Sequence, residues 1–144
     1  SGRGAPGIPA FAGPDLDKAL ARADILVLLL PDTAGTRDLM DAARLSQLPQ
    51  GAWIINPGRG TLIVDQALLA ALDAGHIRHA VLDVFRNEPL PPDHPYWAHP
   101  RVTVTPHIAS ETRVGTASAL VAENLRRVMR DETPLHLVDR IKGY

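Results

Sequence analysis

Three charged or titratable side chains of this sequence lie in turns that follow short apolar segments. Arg59 lies in the Gly/Pro turn 56–60, Glu88 lies in a Pro-rich loop, and His107 directly follows Pro106. A guanidinium can bond two oxygens of a carboxylate and keeps its charge. An imidazole gives or takes a proton near neutral pH, and a carboxylate beside it orients the ring and favours its charged form. These residues therefore predict an active site, and the glycines beside Arg59 predict that a ligand approaches the backbone closely.

The apolar segments before these residues predict the strands that position them. The run 24–30 is almost continuously apolar, which is typical of a strand buried on both faces of a parallel sheet. Three further strands are predicted, Trp53–Asn56, Ala80–Val84 and Val102–Thr105. Asp83 lies in the strand Ala80–Val84, in a buried setting where an uncompensated charge would be costly. Ligands of open α/β sheets bind just outside the carboxyl ends of the strands. The predicted site therefore lies at that edge.

Helical periodicity alternates with these strands and predicts an α/β fold with a parallel sheet covered on both sides. The clearest helix is Val64–Ala74, capped by Asp65 and terminated by Gly75. Asp15 is the predicted N-cap of a short helix that buries its apolar residues. The other predicted helices are Thr33–Met40, Ala42–Leu48 and Glu111–Arg130, the last with Ala117, Leu120, Val121, Leu125 and Val128 facing inward. Residues 1–14 and the five-proline segment Asn87–Pro100 predict irregular structure.

Composition excludes several classes of protein. At 144 residues with 45% hydrophobic side chains, the chain can bury the core of one compact domain. A net charge of -1 gives no indication of a nucleic-acid or membrane surface. The absence of cysteine excludes disulfides, thiolate metal sites and cysteine nucleophiles. The longest apolar run is too short to span a bilayer and no secretory signal is present, so a cytoplasmic protein is expected.

Other chemical sites are weakly supported. Asp93, His94 and His99 lack a fourth partner for a metal, so no metal is expected. Neither Ser46 nor Ser110 lies in a G-x-S-x-G elbow. The histidines other than His107 are interpreted as structural, and these are His76, His79, His94, His99 and His136.

The glycine turn that opens a dinucleotide-binding unit is absent from the sequence. That turn reads G-x-G-x-x-G and follows a strand, whereas Gly2, Gly4 and Gly7 are spaced differently and follow none. The chain is therefore either not a dinucleotide domain or the second part of one.

Four motifs in register resemble the carboxyl-terminal half of the D-isomer-specific 2-hydroxyacid dehydrogenases. They are Leu30-Pro31-Asp32-Thr33, Asn56-Pro57-Gly58-Arg59-Gly60, Leu82-Asp83-Val84-Phe85 with Glu88-Pro89, and Thr105-Pro106-His107-Ile108-Ala109. The gaps also match, with 29 residues from Arg59 to Glu88 and 19 from Glu88 to His107. Val138-Asp139-Arg140 and Gly143-Tyr144 resemble the glyoxylate/hydroxypyruvate reductase branch. The resemblance runs from about Phe11 to Tyr144.

This resemblance implies an incomplete Rossmann-type parallel sheet with flanking helices. Residues 1–144 would form the carboxyl-terminal part of a cofactor domain plus a final helix and tail, without the Gly-rich first βαβ portion or the substrate domain. Nicotinamide would deliver hydride to C2 of a small 2-oxo acid such as glyoxylate or hydroxypyruvate. Arg59 would polarise the carbonyl, protonated His107 would donate to its oxygen, and Glu88 would keep His107 charged and aligned.

The resemblance also implies a cofactor-binding set, in which Asp83 faces the nicotinamide amide. Ser1 and Arg3 occupy the loop where NAD-preferring members carry an acid, which favours NADP(H) over NAD(H). The full-length protein is expected to be a homodimer. The cofactor-binding set is Ser1, Arg3, Leu30, Pro31, Thr36, Pro57, Gly58, Arg59, Asp83, His107, Ala109 and Ser110.

Two alternatives remain open from the sequence. The first is a non-catalytic, dinucleotide-sensing binding protein on the same scaffold, like the family's corepressors. The second is a stand-alone flavodoxin-like ligand module, which predicts a closed domain with no missing first strand.

Overall fold

A sheet of four parallel strands organises the chain, and the computed structural model describes residues 9–11 and 13–141. The strands lie in the order β1 (Ile25–Val27), β2 (Ala52–Asn56), β3 (Ile77–Leu82) and β4 (Val102–Val104). The α-helices are α1 (Leu16–Leu20), α2 (Ala42–Gln47), α3 (Asp65–Asp73) and α4 (Val114–Met129). Single 3-10 turns occur at Gly13–Asp15, Gly60–Leu62 and Pro95–Trp97. The predicted α/β fold with a Rossmann-type parallel sheet and flanking helices is confirmed.

The hydrophobic core lies on one face of this sheet. Side chains from α1, α2 and α3 pack there against alternate residues of the strands, and the set includes Leu20, Leu45, Ile54, Leu68, Leu72, Ile77, Ala80 and Leu82. On the other face, the rings of Trp53 and His79 lie 5.0 Å apart and Trp53 is 38% exposed. The strands lie in the sheet in the order of the chain, and their crossover connections have the same hand. The connecting helices therefore lie on one side of the sheet. The predicted cover on both sides is therefore wrong for the described residues.

β1 is shorter and more exposed than the predicted strand. Its ladder with β2 covers three residues, and the Leu28 N–H extends it by donating to the Ile55 carbonyl. Ile25 and Val27 are 61% and 47% exposed, so the prediction of a strand buried on both faces is wrong. The reason is the face on which they lie, because Ile25 pairs with Trp53 in the ladder and shares its uncovered side of the sheet.

Two predicted helix caps have other partners. Asp15 occupies the N-cap position of α1, but its carboxylate pairs with Lys18 at 2.7 Å and makes no capping bond. The N-cap of α3 is Val64 rather than Asp65, and the Asp65 carboxylate accepts from the Tyr96 hydroxyl at 3.0 Å. Each carboxylate therefore bonds a nearby side chain in place of a helix N–H.

The rest of α3 confirms the predicted pattern. Leu68 and Leu72, one turn apart, are fully buried against the sheet. Gly75 follows the helix with φ +70°, in the left-handed region that favours glycine.

Residues 33–40 form turns rather than the predicted helix. The Thr36 hydroxyl accepts from the Thr33 N–H at 2.9 Å, a local bond that competes with a helical ladder. Asp38 adopts a left-handed φ of 56°, and Met40 then forms a parallel β-bridge with the segment after β2. The segment thus pairs with the chain after β2 in place of forming a helix. The neighbouring prediction of a helix at Ala42–Leu48 is confirmed by α2.

The apolar stripe of α4 is exposed. All 16 residues of this helix are described and none is buried, so the predicted inward packing is wrong for every residue of the stripe. Val121, Leu125 and Val128 are 67%, 60% and 55% exposed. The helical periodicity was sufficient to predict the helix, but no described element covers its apolar side. The stripe predicted to pack inward is Ala117, Leu120, Val121, Leu125 and Val128.

The Pro-rich segment 87–100 is irregular except for the 3-10 turn Pro95–Trp97, which corrects the prediction of no regular structure there. Tyr96 in that turn is only 2% exposed. Burial raises the pKa of the Tyr96 hydroxyl well above its ordinary value, and the Asp65 charge adds to the effect. The hydroxyl therefore stays protonated and donates to Asp65, tying the loop to α3.

Residues 1–8, 12 and 142–144 lie outside the described part of the chain. Most of the predicted amino-terminal loop lies there, and so does the whole of the closing Gly143-Tyr144 motif. Within the described ranges, none of the helices combines the length and apolar character needed to cross a membrane.

Candidate active site

The loops that follow β2, β3 and β4 meet at the carboxyl edge of the sheet and bring the three predicted catalytic side chains together. Arg59, Glu88 and His107 line one polar cavity of about 370 Å³. Asp32, from the loop after β1, and Arg86 line it as well. The parallel direction of the strands explains this convergence, because all their carboxyl ends lie on one side.

His107 and Glu88 form a direct hydrogen-bonded pair. His107 Nδ1 lies 2.7 Å from Glu88 Oε2, while Glu88 Oε1 accepts from the Phe85 backbone N–H at 2.9 Å. Both side chains remain partly open to solvent, with 50% and 36% of the His107 and Glu88 side chains exposed. The carboxylate is thus held on one oxygen by the backbone and on the other by the ring, which leaves His107 Nε2 facing away from Glu88.

The pKa of Glu88 lies below its ordinary value. Burial, the largest influence, raises this pKa, but the combined lowering influences outweigh it. These are the Phe85 N–H, the hydrogen bond and charge of His107, and the charge of Arg59. Glu88 is therefore an anion at neutral pH and supports a positive charge on His107.

A buried asparagine shapes the turn that carries Arg59. Asn56 is 1% exposed, its amide donates to the Arg59 carbonyl at 2.9 Å, and its Oδ1 accepts from the Gly58 N–H at 3.1 Å. Arg59 is exposed, and its Nη1 donates to the Gly58 carbonyl at 2.7 Å. The sequence analysis included Asn56 in the second strand and in the Arg59 motif but gave its side chain no role, although a polar residue at the end of a buried strand was the available signal.

The glycines beside Arg59 make room for the chain's own backbone. A Cβ on Gly60 would lie 1.9 Å from the Phe85 carbonyl carbon, and one on Gly58 would lie 2.7 Å from the Leu28 carbonyl oxygen. Close approach of a ligand to this turn stays a prediction. The glycines let the loops after β1, β2 and β3 stack tightly.

Replacing Gly60 by alanine is expected to destabilise the fold by about 1–3 kcal/mol or more, because the new methyl group overlaps fixed backbone atoms of Phe85. Gly35→Ala is the matched control, since a Cβ there meets nothing within 4 Å. Urea unfolding measures both free energies. Equal stability of the two variants would contradict the packing role of Gly60.

Arg86 is a cavity residue that sequence reasoning missed. Its Nη2 donates to the Asp38 carboxylate and, at 2.5 Å, to the Ile63 carbonyl. It therefore joins the loop after β3 to the turn of residues 33–40 and to the segment after β2. No local pattern could reveal this residue, because its partners lie 48 and 23 positions away in the chain.

Asp83 lies just beyond β3 and is 4% exposed. Its Oδ1 accepts from the Thr105 hydroxyl at 2.5 Å and from the Ile108 N–H at 2.9 Å, and its Oδ2 accepts from the Ala109 N–H at 2.8 Å. The compensating donors that a buried acid requires thus all come from the turn that carries His107.

Asp32 is held as an anion at the rim of the polar cavity. The side-chain hydrogen bond from Arg37, at 2.9 Å, is the largest cause of the lowered pKa of Asp32, and the charge of Arg59 also lowers it. This carboxylate therefore contributes negative charge beside Arg59.

A second, largely apolar cavity of about 490 Å³ adjoins the Glu88–His107 pair. Its walls include Leu90, Trp97 and Val104. The imidazole of His107 therefore lies between a polar cavity and an apolar one.

The residues of the predicted cofactor set occupy different surroundings. Leu30 is 44% exposed near the carboxyl end of β1, and the Pro31 carbonyl accepts from the Thr36 hydroxyl at 2.6 Å, so that hydroxyl is used within its own loop. Ser110 lines a cavity of about 290 Å³ with His107. Pro57, Gly58 and Arg59 share the turn after β2, and Ala109 bonds Asp83. Ser1 and Arg3 lie outside the described residues.

The remaining histidines with described contacts bond structural partners. His99 lies 3.2 Å from Asp73, His79 Nε2 lies 2.9 Å from the Thr103 hydroxyl, and His94 Nδ1 accepts from the Tyr96 N–H at 3.3 Å. No group of three or more His, Asp or Glu side chains among the described residues could hold a metal ion.

Residues 9–109 match the model of the family described as D-isomer specific 2-hydroxyacid dehydrogenase, NAD binding domain. The match begins before α1 and ends just after His107, so it includes all three predicted catalytic residues.

Solved structures of the same class superpose closely on the chain. A D-isomer specific 2-hydroxyacid dehydrogenase from Xanthobacter autotrophicus Py2, in complex with NADPH and MES, is 47% identical with a TM-score of 0.88, over 91% of this chain and 54% of that one. An NADPH-dependent glyoxylate/hydroxypyruvate reductase from Sinorhizobium meliloti, in complex with NADP and sulfate, is 36% identical with a TM-score of 0.94, over 100% of this chain and 47% of that one. A probable 2-hydroxyacid dehydrogenase from Rhizobium etli CFN 42 is 33% identical with a TM-score of 0.88, over 99% and 46%. The chain thus spans about half the length of these proteins.

Proposed function

Because this chain belongs to the D-isomer specific 2-hydroxyacid dehydrogenase family, we propose that its full-length protein reduces small 2-oxo acids to 2-hydroxy acids with a nicotinamide cofactor. The observation that carries the proposal is the 2.7 Å bond between Glu88 and His107, beside a cavity that both share with Arg59. A fixed cation, a titratable ring and a carboxylate that stabilises the ring's charge are the groups that this reduction requires.

The carboxyl edge of the sheet fits a dinucleotide. Leu30 and Ile108 expose 44% and 66% of their surfaces there, and an apolar ring can cover such side chains. Leu30, Pro31, Pro57, Gly58, Ala109 and Ser110 would line the cofactor. When bound, the nicotinamide supplies the hydride that is added to C2 of the oxo acid.

The chain's own residues would bind the substrate and move the proton. Arg59 would hold the substrate carboxylate and polarise its carbonyl, since its guanidinium can donate to two oxygens. His107 would donate from Nε2 to the developing alkoxide, because Nδ1 is engaged by Glu88. Glu88 would keep the ring oriented and charged until the proton leaves.

We propose glyoxylate and hydroxypyruvate as substrates and NADP(H) as the preferred cofactor. The likeness to a glyoxylate/hydroxypyruvate reductase supports the substrates, and the NADPH and NADP of the solved relatives support the cofactor. Arg3 would contact the 2′-phosphate, as expected for a site without an acid at that position.

Oxidation of NADPH and NADH by the full-length protein tests the proposal. With glyoxylate or hydroxypyruvate present, NADPH absorbance is expected to fall, and kcat/KM is expected to be higher for NADPH than for NADH. The 144-residue chain alone is expected to turn over neither substrate. Tight dinucleotide binding by the full-length protein without oxidation would instead support the sensing protein, and no dinucleotide binding would contradict both.

A further inference from the structure

From the pairing of charges in the polar cavity, we infer that Asp38 is a specificity-determining residue, which neutralises Arg86 and so restricts the site to 2-oxo acids with a single carboxylate. The inference rests on the proposed function, because it concerns the substrates of that same cavity. Dicarboxylic 2-oxo acids such as oxaloacetate are then poor substrates of the wild-type protein, and they become better ones when Asp38 loses its charge.

The charged side chains that line the polar cavity are paired with one exception. Glu88 bonds His107 at 2.7 Å, and Asp32 bonds Arg37 at 2.9 Å. Arg59 is the exception, because it forms no ion pair with any residue that the structure describes, and its Nη1 donates to a backbone carbonyl at 2.7 Å. One guanidinium without a carboxylate partner matches one carboxylate of a substrate.

Arg86 is the second guanidinium of this cavity, and its charge is already balanced. Its Nη2 donates to the Asp38 carboxylate and, at 2.5 Å, to the Ile63 carbonyl. Asp65 is a more distant partner, because it lies 4.0 Å from Arg86 Nε and also accepts a hydrogen bond from the Tyr96 hydroxyl. Asp38 is therefore the main counter-charge of Arg86.

The backbone fixes Asp38 beside the cavity. Its φ of 56° is left-handed, a conformation that aspartate and asparagine adopt more readily than most residues. Its N–H donates to the carbonyl of Thr61, a cavity residue, at 2.8 Å. Two residues later, Met40 forms the parallel bridge with Ile63. Asp38 is thus attached to the segment that supplies the other acceptor of Arg86, which keeps the ion pair in place.

Charge rather than size selects against a dicarboxylic acid. The cavity volume of about 370 Å³ is within the range of pockets that bind drug-sized ligands. A second carboxylate would meet an Arg86 that is already paired and would lie near the negative charges of Asp38 and Asp32. It would lose its hydration without gaining an ion pair of its own. Screening moderates this effect, because 31% of the Arg86 side chain and 52% of the Asp38 side chain are exposed.

Reduction of oxaloacetate and hydroxypyruvate by the full-length protein with NADPH tests the inference. In wild type, kcat/KM is expected to be at least about 10-fold lower for oxaloacetate. In Asp38→Asn, the ratio of kcat/KM for oxaloacetate to that for hydroxypyruvate should rise about 10-fold, the effect of one charge-assisted hydrogen bond at a partly exposed site. Asp38→Gly should raise it similarly, because glycine adopts a positive φ freely and folding is preserved.

A double variant and a matched control identify the cause of the change. Asp38→Asn combined with Arg86→Gln removes the guanidinium that would receive the second carboxylate, so the gain should disappear. Asp73→Asn is the control, because the Asp73 side chain is 76% exposed and pairs with His99 away from the cavity. This variant should leave the substrate ratio unchanged.

Calorimetric binding of succinate supplies a measurement that needs no turnover. Succinate has the four carbons and two carboxylates of oxaloacetate but no ketone to reduce, and butyrate is the matched acid with one carboxylate. The Kd for succinate is expected to fall about 10-fold in Asp38→Asn and to return in the double variant, while that for butyrate stays within about twofold. A full-length protein that reduces no oxo acid would refute the proposed function, and the succinate affinities would still decide the role of Asp38.

Three outcomes would overturn the inference. The first is an unchanged substrate ratio, or an unchanged succinate Kd, in both Asp38→Asn and Asp38→Gly. The second is wild-type reduction of oxaloacetate as efficient as that of hydroxypyruvate. The third is a gain that persists in the double variant, because the gain would then not depend on Arg86.

Discussion

Arg59→Lys is expected to lower kcat/KM for 2-oxo acid reduction by ~10²-fold or more, although the positive charge is kept. The guanidinium is a planar fork that can bond the substrate carboxylate and carbonyl together, whereas an ammonium is a point charge on a flexible stem. The turn around Arg59 is built for one geometry, since Asn56 holds its carbonyl at 2.9 Å and Gly60 packs on Phe85. A lysine at this position cannot bond the carboxylate and the carbonyl together in that fixed geometry.

Steady-state kinetics of the full-length protein check this prediction. Arg126→Lys is the matched control, because Arg126 forms an exposed ion pair with Glu123 on α4 at 3.2 Å. That control should stay within about twofold of wild type. An Arg59→Lys variant within a few-fold of wild type would remove Arg59 from the site.

Glu88→Gln is expected to lower reduction at pH 8 by about 10-fold or more, because it destabilises the protonated form of His107. The Phe85 N–H bonds Glu88 Oε1, so a glutamine would keep its oxygen there and turn its NH₂ group toward His107 Nδ1. A donor facing Nδ1 opposes a ring that carries a proton on that nitrogen. The proton is then released at lower pH.

The pH profiles should show the direction of this change. In the proposed mechanism reduction needs the protonated ring, so its high-pH limb should move toward acid, and the low-pH limb of the reverse reaction should move the same way. The pKa of Glu88 is lowered, so Glu88 stays ionised in wild type across both limbs and the limbs report His107.

Asp93→Asn, an exposed change in the same loop, is the control for Glu88→Gln and should move neither limb. Loss of activity without displacement of either limb would mean that Glu88 only orients the ring. Displacement toward alkaline pH would contradict the pairing of Glu88 with His107.

Much of the fold was accessible from local pattern. The stripe that includes Leu68 and Leu72, ended by Gly75, predicted α3 because a helix of 3.6 residues per turn places these positions on one side. Short apolar runs before polar turns predicted β2 and β4 within a residue or two. The turns that carry Arg59, Glu88 and His107 were predicted to share an edge because parallel strands all end on the same side.

Burial could not be predicted from periodicity alone. The apolar stripe of α4 correctly predicted a helix, but the prediction that this stripe is buried was wrong. The apolar run of β1 was predicted to be buried as well, and it lies at the edge of the described sheet. A pattern specifies which side of an element is apolar, but only neighbouring elements determine whether that side is covered. The prediction of a helix at residues 33–40 was wrong for a related reason, since a side-chain hydrogen bond and a β-bridge replace the helical hydrogen bonds.

The sequence by itself determined the chemistry available to this protein, because side-chain types and their place after each strand are local properties. Only the tertiary structure decided how that chemistry is supported. Asp83 meets donors 22 to 26 residues away, Arg86 reaches Asp38 across 48 residues, and Gly60 packs on the backbone of Phe85. Contacts between distant segments depend on how the strands and loops pack in three dimensions, and a single sequence carries no periodic signal for them.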